Sequence, residues 1–201
     1  MNAKIPRWLT TGCLAAATLA TFVVAMLTPG VSHPADPSAG AASGFSPYVT
    51  KDGGILLPAD YRDKFQHIGT WAVATKPGKP VDELHGVYTR PEDVQAYRRD
   101  GKFPDGAVLV KDITTVGSAK LTAGQATWDT GIKIWFVMIK GSKERFPKND
   151  LWGDGWGWAL FEAKDPKKNV ATDYKTDCRT CHVPAKKDDW VYVRGYPVLK
   201  K

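Results

Sequence analysis

Cysteine, methionine and histidine are all scarce in this chain of 201 residues, with three, three and four of them. Cys178 and Cys181 stand near the C-terminus, and the one remaining cysteine, Cys13, lies in an N-terminal apolar stretch. A zinc site would need further thiol or imidazole ligands beside the pair, and a disulfide framework would need more cysteines. No internal repeat is present. No nucleic-acid-binding motif accompanies the basic residues, although the formal net charge is +7. The lysines and arginines are scattered, in pairs at most, such as Lys167–Lys168 and Lys186–Lys187. They read as a solvated surface first and as a docking face for an acidic partner second.

Lys4 and Arg7 precede an uncharged stretch from Cys13 to Leu27, and Gly30 and Ser32 follow it with cleavage-site spacing. This pattern predicts a signal peptide over residues 1–32 and a periplasmic protein. The alternative is an uncleaved anchor, since the stretch falls only slightly short of the ~20 residues that span a bilayer. Cys13 stands at the start of this stretch and not after it, which argues against lipidation. Residues 33–46, rich in Ala, Ser, Gly and Pro, read as a flexible linker. Residues 47–201 have the size of one domain. With the leader removed, Met138 is its only methionine.

Along that domain, Ile55–Leu57 is strand-like, and Pro58 and Asp60 open a brief helix with Tyr61 and Phe65 on one face. His67–Ala74 and Leu84–Thr89 are predicted strands. In RPEDVQAYRRDG, Pro91 in the first turn, acids at the start, arginines at the end and Gly101 as the stop predict a helix. FPDGAVLVKDITTVG carries a strand that places Leu109, Lys111 and Ile113 on one face and Val108, Val110 and Asp112 on the other. GIKIWFVMIKGS is a strand apolar on both faces, with Phe136 and Met138 together and Trp135 and Val137 opposite, as expected at a sheet centre. Trp152, Trp156, Trp158 and Phe161 follow among glycines, as core or as a pocket wall. Asp173 is expected to cap a short helix ended by Pro184, with Trp190–Leu199 as a closing piece. Strands outnumber helices, so the fold class is α+β with a mainly antiparallel sheet.

The expected short helix carries CRTCH, Cys178–His182. Two thiols three positions apart with a histidine directly after them form the CxxCH signature of c-type haem attachment. Each cysteine sulfur then binds a porphyrin vinyl group as a thioether, and His182 is the proximal iron ligand. Function depends on the other side of the iron. An electron carrier would fill it with Met138, which is better explained as core, or with His67 or His85. An open site would accept a small molecule such as nitric oxide or hydroxylamine.

The order of LLPxxYR, Glu-x-x-x-Val-Tyr-x-x-Pro-Glu, GKFPDGAVLVKDITTVG, and CxxCH followed by DWVYVRGYPVL resembles the cytochrome P-460 family, over about Gly54 to Leu199. The resemblance implies a mostly β, monohaem c-type protein, commonly a homodimer. In it a lysine is joined to the porphyrin edge, and hydroxylamine is oxidised with electrons passing to an external cytochrome. The family lysine falls on Lys111. His85 stands where the hydroxylamine-oxidising pattern has arginine, and Phe136 falls near the position of a distal glutamate. Phenylalanine cannot accept a proton, so His85, Glu83 or Asp112 is left as the base. An apolar distal site with Phe136 over the iron is instead similar to the related cytochromes c′-beta, which bind nitric oxide and lack the cross-link.

Overall fold

The computed structural model describes residues 45–200. The expected signal peptide and almost all of the expected linker therefore lie outside the described residues. The domain starts earlier than residue 47, because Ser46 is buried and the Phe45 ring packs 6.2 Å from that of Trp152.

Seven antiparallel strands form one sheet, and helical turns close its faces. After a short helix α1 (Tyr61–Lys64) come β1 (Gln66–Val73), β2 (Glu83–Thr89), α2 (Pro91–Asp100), β3 (Val108–Leu121) and β4 (Gly124–Lys140). Next are β5 (Trp152–Gly153), β6 (Trp156–Glu162) and β7 (Asp165–Asn169). The order across the sheet is β1-β2-β3-β4-β6-β5, with β7 also pairing with β6. The α+β class and the other predicted strands are present, but the strand-like piece expected at Ile55–Leu57 forms only an isolated bridge from Ile55 to Val49. The two-residue β5 and the polar β7 carry too little apolar pattern to be read from sequence.

α2 forms for the reasons its sequence offers. Pro91 fills a first-turn position that needs no N–H, and Gly101 closes the helix in the left-handed region at φ 70°, donating its N–H to the Tyr97 carbonyl at 2.7 Å. Val94 and Ala96 are its buried apolar residues.

Register decides which side chains meet. Val87 lies opposite Lys111, Lys111 opposite Phe136, and Leu109 opposite Met138, which in turn faces Trp158 on β6. Directly opposed residues share a face. One face thus carries Val87, Leu109, Met138 and Trp158 into a core completed by Cys178, Trp190, Val191 and Tyr196. The other carries Val108, Val110, Val137, Ile139 and Phe161 into a second core under Val49, Ile55, Tyr61 and Phe65.

β3 and β4 outrun their neighbours. β2 ends at Glu83, opposite Thr115, and β6 ends at Glu162, opposite Ile134. Val116–Leu121 and Gly124–Asp129 therefore pair only with each other, as a two-stranded ribbon with Leu121 and Trp128 exposed. Among the described residues no helix is long and apolar enough to cross a membrane.

Candidate functional site

The segment carrying CRTCH is anchored before it turns helical. The Asp177 carboxylate accepts the N–H groups of Thr172 at 2.8 Å and Asp173 at 3.2 Å, and Asp173 accepts that of Lys175 at 2.8 Å. These bonds satisfy donors that have no partner at a helix start. A π-helical turn, Lys175–Arg179, brings in Cys178, and a single α-turn α3, Thr180–His182, brings in Cys181 and His182. Pro184 does end the α-turn as expected, with Val183 directly before it as the C-cap. It sits in the first turn of a 3₁₀ segment, Val183–Asp188, where its missing N–H costs nothing.

His182 is held on two sides. Its Nδ1 lies 2.7 Å from the Trp190 carbonyl, and its ring meets that of Trp158 edge-on at 4.9 Å. A carbonyl only accepts, so Nδ1 carries the proton and Nε2 keeps a lone pair. Burial, aided by the nearby Lys111 ammonium and opposed by the Trp190 carbonyl, holds the His182 pKa below the usual 6.5. A neutral imidazole with its second nitrogen fixed by a carbonyl is the state an iron ligand requires. Burial also pushes the Cys178 thiol up to about 12, keeping it protonated.

These groups open onto a cavity of about 280 Å³. Cys178, Cys181 and His182 line it from the helical side, and Val87, Leu109, Lys111, Phe136, Met138 and Trp158 from the sheet. Lys111 projects its Nζ over the Phe136 ring, 4.4 Å from the centroid. Among the described residues no carboxylate forms an ion pair with it. Burial lowers its pKa from 10.5, against weaker opposing contributions from Cys181, Cys178 and Glu83. An amine with a depressed pKa is a nucleophile in waiting.

A model of the family Cytochrome P460 matches residues 58–193. The chain belongs to the cytochrome P460 family. A comparison with curated proteins returns no match. Membership makes this a c-type cytochrome with covalently bound haem. The cavity suits that group, since its walls are largely apolar and two thiols and a pre-oriented neutral imidazole converge on it.

The other expected site residues of this cytochrome P460 separate by sheet face. Phe136 and Met138 line the cavity. His85 does not, but it shares the cavity-side face, two positions along β2 from Val87 and diagonal to Lys111. Its Nε2 lies 3.0 Å from Glu83, which also pairs with Lys133 at 2.7 Å. Burial outweighs the Glu83 hydrogen bond and lowers the His85 pKa. Asp112 is not a possible base for the cavity. It points into the opposite core, 2% exposed, and accepts hydrogen bonds from the Tyr61 hydroxyl at 2.5 Å and Arg62 Nη2 at 2.7 Å. His67 is likewise no iron ligand, being exposed, 2.8 Å from the Thr70 hydroxyl and packed on Tyr88. Of the aromatic residues in the tryptophan-rich segment Trp158 walls the cavity, while Trp152 and Phe161 pack on the second core.

The closing piece expected over Trp190–Leu199 lines the cavity through Val191, Tyr192 and Tyr196, whereas the Trp190 carbonyl on His182 was not foreseen. The aromatic density of DWVYVRGYPVL was the available signal for the former.

Proposed function

We propose that this chain is an exported, periplasmic, homodimeric monohaem cytochrome that oxidises hydroxylamine and passes the electrons to an external cytochrome. Cys178 and Cys181 hold the porphyrin by thioethers, His182 is the proximal ligand, and Lys111 adds a third attachment at the porphyrin edge. The observation that carries this reading is Lys111 itself. Its half-buried side chain carries the amine into the cavity without a carboxylate partner, beside both motif thiols and with a depressed pKa. An unpaired ammonium is costly in such a place, whereas a neutral amine that bonds to the ring is not. Export is supported by the pattern of residues 1–32, and the homodimer by resemblance to the family.

When bound, the haem supplies an iron that takes the substrate nitrogen and accepts electrons one at a time. Each electron leaves with a proton, which the protein has to remove. His85 is neutral near pH 7, Glu83 steadies the imidazolium it would become, and Lys133 ends the chain of contacts at the surface. Phe136 and Met138 exclude water from the substrate side.

A second reading, nitric oxide binding without turnover, draws on one observation: Asp177 is the only carboxylate lining the cavity among the described residues, and it is engaged by backbone N–H groups. Steady-state reduction of an added acceptor by hydroxylamine separates the two. Turnover, reduced about 100-fold in His85→Gln, supports oxidation. Nitric oxide uptake without turnover supports the second reading. The haem peptide mass should show attachment through Lys111 as well as both cysteines, and Lys111→Met should lose only the former.

A further inference from the structure

The carbonyl that orients His182 belongs to a residue in an unfavourable conformation. Asp189 and Trp190 are consecutive non-glycine residues in the left-handed region, at φ 59° and 65°. That region is uncommon for any side chain and rarer still for one as large as tryptophan. The reversal it produces turns the Trp190 carbonyl back onto His182 Nδ1. Such a turn persists only if its surroundings over-determine it.

Those surroundings are specific. At the end of the central strand β4, Lys140 places its Nζ 2.5 Å from Asp189 Oδ1, with the two side chains only 11% and 16% exposed. The same ammonium lies over the ring of Trp156, its cross-strand partner, 4.8 Å from the centroid. Trp156 in turn donates its indole N–H to the Asp189 carbonyl at 3.0 Å. Asp189 Oδ2 is buried without a hydrogen-bond partner, so Lys140 supplies the cation that balances this carboxylate. Asp189 is thus gripped through its side chain by Lys140 and through its backbone by Trp156.

We propose that the Lys140–Asp189 ion pair is a positioning clamp that holds the left-handed turn, keeps the Trp190 carbonyl on His182, and thereby sets the reduction potential of the iron. An Nδ1–H···O=C bond gives the imidazole more anionic character and makes it a stronger donor, which favours the oxidised metal. Releasing the turn weakens that bond. The inference rests on His182 being the proximal ligand, as proposed above.

The test uses the haem-loaded protein and its Lys140→Met, Lys140→Arg and Asp189→Asn variants. Lys140→Met keeps an apolar stem over Trp156 but removes the charge. Asp189→Asn keeps a residue that tolerates the left-handed region, so it serves if Lys140→Met does not fold. Both should raise the reduction potential and lower the ferrous iron–imidazole stretching frequency, while Lys140→Arg stays near the wild type. A lower melting temperature with potential and frequency unmoved would make the pair merely structural and overturn the clamp. Absence of an iron–imidazole band from the wild type would remove the reading of His182 and the clamp with it.

Discussion

Adjacent residues of β3 show how strand alternation assigns opposite duties. Lys111 faces the cavity without a carboxylate partner, and Asp112 faces the other core with several partners. Asp112→Ala would leave the Tyr61 hydroxyl without its acceptor and remove the shorter ion pair of Arg62, which keeps the one with Asp129 at 3.4 Å. Arg62 is partly exposed and can turn to water, so the expected loss is about 3 kcal/mol, at the low end for a broken buried pair. Tyr61→Phe, which deletes the hydroxyl that donates to Asp112 and accepts from Arg62 Nε and Trp135 Nε1, should cost about 2 kcal/mol. Chemical denaturation measures both, and the haem spectrum should not move because the network lies behind the sheet. His85 makes a pH prediction. Its folded pKa lies below the unfolded 6.5, so the unfolded chain binds more protons between those two values. This contribution to stability is intact above pH 6.5 and declines as pH falls through 6.5 towards the folded value. Melting temperatures between pH 8 and 5 should therefore drop more steeply for the wild type than for His85→Gln.

Among the elements, those with strong apolar alternation were legible in sequence and those made by tertiary fit were not. VLVKDI and IWFVMI announced β3 and β4 and the face of each residue, and Pro91 and Gly101 bounded α2 closely. The CxxCH residues Cys178, Cys181 and His182 meet at one cavity. The ribbon was hidden because SAKLTAGQATW is mostly polar and small; it is paired by extension of β3 and β4, not by burial. His85 and Asp112 could not be ranked as bases from sequence, since the answer depended on partners about 25 to 50 residues away, Lys133 and Arg62 among them. The ribbon now makes its own prediction. A two-stranded hairpin without a covering layer is marginally stable, so amides of Val116–Asp129 should exchange within about 1–2 kcal/mol of free opening. Those of Leu109–Ile113, paired on both sides, should approach the global unfolding free energy. Hydrogen exchange followed by mass spectrometry resolves the two segments, and equal protection would contradict this account.

For the whole molecule, the question is how a positively charged cytochrome meets its electron acceptor. A net charge of +7, or +5 without Lys4 and Arg7 of the leader, favours an acidic partner, but basic residues spread over the surface attract without steering. The two cases respond differently to salt. At about 0.01 M ionic strength the screening length is ~30 Å and the whole charge acts; at 0.15 M it is ~8 Å and only charges near the contact count. Scattered charge should therefore give an electron-transfer rate to an acidic acceptor protein that falls several-fold over this range, with no single lysine responsible. Lys186 and Lys187, on the exposed 3₁₀ segment directly after His182, are the pair best placed to form a focused patch. Under the scattered-charge account, Lys186→Gln and Lys187→Gln should each change the low-salt rate less than about twofold, as loss of one among many charges requires. Stopped-flow reduction of the acceptor measures this directly. A tenfold loss from either substitution would instead place the contact at the mouth of the haem cavity.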